Sequence, residues 1–320
     1  MKTMISNFEN LMDRAKSMPT KRIAVVYPNN RETFEAIVDA GKNFHPTFTL
    51  VGNRKSIGEG LLEVGKDPAG DVEIIDATDP LQALKASISL ARDNKVDVLM
   101  KGGIDTGSFM SGVLQPESGL RMDRLLSDIF VLEYPQRVQN KLIMITDGGM
   151  TLLPDLMNKV ELIRNAIQVA HALGNPNPKV AILSATEFVV PKLESTIDAA
   201  ALSKMNERGQ IKGCVIDGPL ALDNAISLEA AAEKRIVSPV AGRAEILVAA
   251  NIESANSLAK STTYFANLRL AHVIVGARIP ILIPSRADKS DAKLLSMALG
   301  IVMSEWKEDG TDEGCESCSA

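Results

Sequence analysis

Ile281-Leu282-Ile283-Pro284-Ser285-Arg286-Ala287-Asp288 is the stretch whose reading decides the fold. A short apolar run stopped by proline, followed by helical spacing over 290–303, reads as strand, turn, helix. In open α/β sheets a ligand sits in the crevice beyond the carboxyl ends of the strands. Ser285, Arg286 and Asp288 stand at such an end. A guanidinium there fits a phosphate or carboxylate, a hydroxyl can hydrogen-bond a developing oxyanion, and a carboxylate can accept a proton. The same residues also fit a plain helix start, with Asp288 or Ser290 as N-cap and Arg286 in solvent. The rest of the chain decides between the two.

Outward from this stretch, short runs of Val, Ile and Leu recur at 22–27, 47–51, 72–75, 96–100, 129–132, 142–146, 180–183, 213–216, 244–249, 273–275 and 279–283. Segments of helical period lie between them, at 32–40, 81–93, 156–172, 196–204 and 252–265. Such alternation, with strands apolar on both faces, predicts α/β architecture with a mostly parallel sheet covered by helices. A chain of 320 residues has room for two domains of about 150 residues each. The polar stretch Tyr134-Pro135-Gln136-Arg137 interrupts the pattern and marks a boundary. Without a flexible linker the two parts would pack closely, and the cleft between them is the default ligand site.

Composition narrows the function classes. The chain is 45% hydrophobic and 23% charged, as an ordinary globular protein is. A net charge of −5 offers no general attraction to nucleic acid or to an anionic membrane surface. Any anionic ligand must be held by local cations and backbone N–H groups. The N-terminal residues lack the apolar stretch of a signal peptide, and no run of 18 apolar residues occurs, so the expected location is cytoplasmic. Three cysteines do not make a disulfide framework. Cys315-x-x-Cys318 lies in an acidic tail and lacks the further ligands of a structural zinc site.

Several strand ends combine glycine, proline and polar residues. Lys101-Gly102-Gly103-Ile104-Asp105-Thr106 can cradle an anion with backbone N–H groups, or be a tight turn with a surface lysine. It is not a Walker loop. Asp147-Gly148 and Asp217-Gly218 each follow a strand and alone signal only turns. No G-x-G-x-x-G follows the first strand, and no G-x-S-x-G elbow exists. His45, His171 and His272 are scattered without metal-ligand spacing, and Cys214 reads as core. This inventory suits binding a phosphate and acting on it by positioning and acid–base chemistry.

Seven motifs in order, spanning about 101–299, resemble the phosphate acetyltransferase and phosphate butyryltransferase family, the butyryl branch more closely. They are Lys101-Gly102-Gly103-x-x-Thr106, Ile145-Thr146-Asp147-Gly148, Leu183-Ser184-Ala185-Thr186-Glu187 and Asp217-Gly218-Pro219-Leu220-Ala221. Ser238-Pro239-Val240-Ala241-Gly242, Asn251-Ile252-Glu253 with Asn256 and Lys260, and Ser285-Arg286-x-Asp288 with Lys293 complete the set. The resemblance implies two doubly wound three-layer α/β domains, on the plan shared with isocitrate and isopropylmalate dehydrogenases. Residues 1–137 with 285–320 would form the first domain and 138–284 the second. It also implies a homodimer or higher homo-oligomer and the reaction acyl-CoA + phosphate ⇌ acyl phosphate + CoA. Coenzyme A is then a substrate, with no bound cofactor and no metal.

Residue by residue, the resemblance makes Arg286 the holder of the phosphoryl group and Ser285 the donor to the carbonyl oxygen. Asp288 and Asp291 compete as base for the CoA thiol, Asp288 being preferred. Arg121 and Arg124 stand where further arginines are implied. Substrate-binding roles are implied for Lys101, Gly102, Thr106, Asp217, Gly218, Pro239, Gly242, Asn251, Asn256 and Lys260. Ser127-Asp128-Ile129 departs from the Ser-His-Val pattern of many butyryltransferases. Acyl preference stays open between a butyryl or branched chain and acetyl. Two rival readings are an isopropylmalate-type dehydrogenase, which requires a nicotinamide site, and a CoA-sensing module that keeps the fold without turnover.

Overall fold

The computed structural model describes residues 3–68, 72–285 and 287–306. Arg286 and the Cys315/Cys318 pair lie outside the described residues. After α1 (Phe8–Lys16) the chain alternates through β1 (Arg22–Val26), α2 (Arg31–Asn43), β2 (Thr47–Gly52), α3 (Arg54–Glu63), β3 (Val72–Asp76), α4 (Pro80–Arg92), β4 (Val98–Lys101) and α5 (Thr106–Leu114). Two consecutive strands, β5 (Ser127–Glu133) and β6 (Leu142–Thr146), lead to α6 (Leu156–Ala172), β7 (Lys179–Leu183), α7 (Glu194–Glu207) and β8 (Val215–Leu220). Then come α8 (Leu222–Ile226), α9 (Leu228–Glu233), β9 (Ile246–Val248), α10 (Ile252–Tyr264), β10 (Leu270–Val275), β11 (Ile281–Leu282) and α11 (Ser290–Ser304).

Every apolar run read from the sequence overlaps a strand of one 11-stranded sheet. Strands β4, β6 and β10 are buried along their whole length, as strands covered on both faces must be. Helix starts are set by short polar side chains. Asn7, Asn30, Asn53, Asp79, Asp105, Asp155 and Asn251 each accept a backbone N–H in the first turn of the helix they precede.

The strand order is β3-β2-β1-β4-β11-β10-β5-β6-β9-β7-β8. Strands β3, β2, β1, β4 and β11 form one parallel block, and β6, β9, β7 and β8 form another. Between the blocks β10 is antiparallel to both its neighbours, and β5 is antiparallel to β6. The two blocks therefore run in opposite directions. The sheet crosses the boundary near residue 137 without a break, and α11 returns to pack against α1 and α2.

One face of the sheet carries a continuous apolar cluster, from Phe8 and Leu50 through Ile129 and Val273 to Ile182 and Ile216. On the opposite face the cluster is split. One part gathers Leu84, Phe109, Ile281 and Ile283, and the other gathers Phe130, Ile145, Ala255 and Ala259. The gap between these two parts, over the central strands, is where a ligand can reach the sheet.

Candidate active site

The gap is a cleft of about 540 Å³ lined by Lys101, Ile104, Asp105, Thr106, Asp128, Phe130, Gly148, Gly149, Asn256, Lys260, His272, Ile283, Ser285 and Asp288. It collects the loops that leave β4, β6 and β11, the cleft-facing side of β5 and β10, and one side of α10. A larger hollow of about 750 Å³ lies between α4 and α5, but its charged wall residues Lys85, Arg92 and Glu117 are all exposed. Buried, opposed charges face only the smaller cleft among these two, and chemistry is assigned there.

At the end of β4, Lys101 is buried and its Nζ donates to the carbonyls of Gly102 (3.3 Å) and Ile104 (3.2 Å). A Cβ on Gly102 would sit 2.5 Å from the Val26 carbonyl oxygen, so glycine lets the loop ride over β1. Asp105 then caps α5 by accepting the Ser108 N–H at 2.8 Å, which places Thr106 at the mouth of the cleft.

Asp128 and Phe130, two residues apart on β5, face the cleft together. His272 lies directly opposite Phe130 on β10, and the two rings stack 5.2 Å apart within 6° of parallel. Its Nδ1 meets Asp128 Oδ1 at 3.1 Å, and both side chains are buried. Burial opposes the charged ring, yet the Asp128 carboxylate, by charge and by hydrogen bond, holds the imidazole above its ordinary range. Asp147, at the end of β6, accepts the N–H groups of Asp128 (2.9 Å), Gly149 (3.2 Å), Met150 (3.2 Å) and Thr151 (2.6 Å). Burial pushes its carboxyl up to about 6. This residue staples the loop after β6 to β5. Gly148 and Gly149 are the residues that let that loop close. A Cβ on either would lie 2.6 Å from the Phe130 ring or 2.5 Å from Asp128 Oδ2.

Asp288 Oδ2 accepts the Ser285 N–H at 2.8 Å and so shapes the turn after β11. It does not cap α11, whose N-cap is Lys289. Lys293, buried in α11, donates to the carbonyls of Ser285 (3.3 Å) and Asp288. Burial lowers its pKa. The Asp288 carboxylate lies 3.9 Å from Lys260 Nζ on one oxygen and 3.9 Å from His272 Nε2 on the other. Asn256, one turn before Lys260, donates to the Gly148 carbonyl at 2.9 Å and ties α10 to the loop after β6.

Of the residues singled out from sequence, Lys101, Thr106, Asn256, Lys260, Ser285 and Asp288 line the cleft, with Gly102 shaping its wall. Asp291 does not. It pairs with Arg269 on the surface, at 2.8 and 3.1 Å. Arg121 bridges to Ala277, and Arg124 donates to Asn165 at 3.2 Å, beside a separate hollow of about 290 Å³. Gly218 on the edge strand β8 fits against the Ile182 carbonyl, 2.9 Å from where a Cβ would be, and Asp217 accepts its N–H. Gly242 takes φ +73° beside Leu228 in the turn after Pro239, and Asn251 caps α10. These four motif positions and Asp217 hold loops in place rather than face the cleft. His272 is a cleft group to which sequence reasoning gave no role, and Asp128 beside it was noted only as a departure from the family pattern. A histidine inside the apolar run 270–275 and the unexpected aspartate at 128 were the available signals.

Residues 78–301 match the model of the phosphate acetyl/butaryl transferase family. The chain belongs to this family. A phosphate butyryltransferase from Clostridium beijerinckii is 41% identical over 300 residues, 94% of this chain and 98% of that protein. A phosphate acetyltransferase from Thermotoga maritima is 39% identical over 297 residues, 92% of this chain and 98% of that protein. The crystal structure of a branched-chain phosphotransacylase from Enterococcus faecalis V583 superposes with a TM-score of 0.80 at 27% identity, covering 90% of this chain and all of that one. In this chain position 128 carries aspartate, and His272 of β10 meets it across the strand pair. Among the described residues, no helix is long and apolar enough to cross a membrane.

Proposed function

We propose that this protein is a phosphate acyltransferase that exchanges a short-chain acyl group between coenzyme A and phosphate through the central cleft. The observation that carries this reading is the Ser285–Asp288 turn, which sits beside Lys101, Lys260 and His272 in a chain of this family. Three basic side chains, Lys101, Lys260 and His272, offer donors to a dianionic phosphoryl group, and of the three carboxylates in the same lining, Asp105, Asp128 and Asp288, the last is placed to meet a thiol.

Toward acyl-CoA, the CoA thiol loses its proton, its sulfur bonds to the acyl carbon, and the carbon–oxygen bond to phosphate breaks. The proton finally rests on the released phosphate. A thiol pKa of roughly 8.5 leaves little thiolate at neutral pH, so a base in hydrogen-bond reach raises the reactive fraction. Asp288 is that base in our reading. Its backbone hydrogen bond from Ser285 and its place between two cations fix its direction. The Ser285 hydroxyl donates to the carbonyl oxygen as it becomes negative. Arg286, by family resemblance, grips the phosphoryl group with Lys101 and Lys260 around it. Holding thiolate in line with the acyl carbon supplies most of the remaining acceleration.

Acyl-CoA, phosphate and acyl phosphate are the substrates in this reading, acyl length being set by the apolar wall at Ile104, Phe130 and Ile283. One methylene there is worth only about 1–3 kcal/mol, so neighbouring chain lengths overlap as substrates. A cytoplasmic homodimer or higher homo-oligomer belongs to the same proposal. The test is phosphate-dependent release of CoA thiol from acetyl-, propionyl-, butyryl- and isobutyryl-CoA, without added metal. We expect release that requires phosphate, with a four-carbon substrate ranking first. CoA binding without release from any of the four would instead mark a CoA-sensing module.

A further inference from the structure

One buried polar atom of the cleft, His272 Nε2, has no hydrogen-bond partner among the described residues. The nearest acceptor, Asp288 Oδ2, is 3.9 Å away, beyond hydrogen-bond reach. A buried donor left unpaired costs free energy unless a ligand brings the acceptor. Everything else about the ring is fixed: Nδ1 by Asp128 at 3.1 Å, its face by Phe130, and its backbone N–H by Ser296 Oγ at 3.0 Å.

Resting on the phosphate acyltransferase reading, we propose that His272 is a substrate-binding residue whose Nε2–H donates to a phosphoryl oxygen of phosphate or acyl phosphate. Asp128 is its positioning residue. The charged groups around the ring come from six elements. Asp128 of β5 touches it, and Asp288 after β11 and Lys260 of α10 face it across the cleft. Lys101 at the end of β4 lines the same cleft, Lys293 of α11 holds the turn that carries Asp288, and Asp147 after β6 holds the Asp128 backbone.

Burial works against the imidazolium. The Asp128 charge and hydrogen bond, with the more distant Asp288, outweigh burial and the repulsion of Lys260, and the ring titrates above its ordinary value. Because Asp128 keeps a proton on Nδ1, the proton lost at high pH is the one on Nε2. The donor then becomes an acceptor aimed at an anion. Phosphate binding through His272 is present below this raised pKa and lost as pH rises through it.

The experiment follows phosphate-dependent CoA release from butyryl-CoA between pH 6 and 10, in the wild type and in His272→Gln and Asp128→Asn. A hydrogen bond to a charged group predicts that His272→Gln raises KM for phosphate roughly 10- to 100-fold, with KM for acyl-CoA little changed. The alkaline fall of kcat/KM for phosphate should vanish in His272→Gln and move toward neutral pH in Asp128→Asn. An unchanged phosphate KM and an unchanged alkaline limb in active His272→Gln would overturn the proposal. Should that variant not fold, ¹⁵N-histidine NMR of the wild type decides. With only three histidines, His272 is assignable. It should be an imidazolium at pH 7 whose Nε2 resonance shifts on titration with inorganic phosphate. A neutral ring, or one blind to saturating phosphate, refutes it. A wild type that releases no CoA from any substrate would instead defeat the enzyme reading beneath it.

Discussion

Asp288 and Asp291 are three residues apart, and their surroundings separate them. Asp288 is half enclosed, takes the Ser285 N–H and faces two cations across the cleft, whereas Asp291 shares a solvent-exposed pair with Arg269. Replacing Asp288 with Asn keeps the shape of the turn but removes the proton acceptor proposed for the CoA thiol. We expect kcat to fall about 10²- to 10⁴-fold, the usual worth of a positioned proton acceptor. Asp291→Asn should leave turnover within about twofold and stability within about 1 kcal/mol, since exposed ion pairs contribute little. Steady-state kinetics and urea midpoints of the two variants check this. Equal losses would sink the assignment. Ser285→Ala offers a separate reading of the same turn: one oxyanion donor lost should lower kcat about 10²- to 10³-fold with a smaller effect on KM.

At the scale of elements, strands were legible because a doubly covered parallel strand must be an unbroken apolar run. The cleft was less legible. Ser285 and Asp288 announced themselves at a strand end, but Asp128 and His272 are 144 residues apart and meet only because β5 and β10 pair antiparallel. Nothing local specifies that register. Gly218 and Gly242, picked out by motif order, stand outside the cleft lining, where close packing and a positive φ respectively account for glycine. α1 and α3 were not anticipated, although each begins behind an Asn that receives a backbone N–H. Two loop variants follow from these contacts. Gly102→Ala presses a methyl against the backbone oxygens of Val26 and Tyr27, which cannot step aside, and should cost about 1–3 kcal/mol by urea unfolding. Asp147→Asn places an amide N–H₂ against the Thr151 N–H and should also destabilise. Here the sign with pH is unusual. Burial raises the folded carboxyl to about 6, above its unfolded value, so the stability it contributes is fully present below the unfolded pKa and lost through pH 6. The penalty of Asp147→Asn should therefore be larger at pH 5 than at pH 7.5, and a penalty growing with pH would contradict this account.

Across the whole molecule the two faces of the sheet do different jobs. One carries an apolar cluster that runs under both parallel blocks, and the other is divided in the middle to admit a ligand. A division on one face alone leaves the hydrogen-bonded sheet and half of the core shared, so the parts on either side of residue 137 lack separate cores. They should then unfold as one cooperative unit despite the two-domain plan that the family resemblance implies. Scanning calorimetry tests this with the calorimetric and van't Hoff enthalpies, which should agree. Ligand adds a second constraint, because CoA and phosphate held in the cleft, as proposed, would touch loops from both blocks. At a free concentration about 100 times Kd, mass action stabilises the native state by about 2.7 kcal/mol, and the single transition should move upward as a whole. Two resolved transitions, of which ligand moves only one, would mean that the second block folds on its own and that the continuous sheet transmits less than its hydrogen bonds suggest.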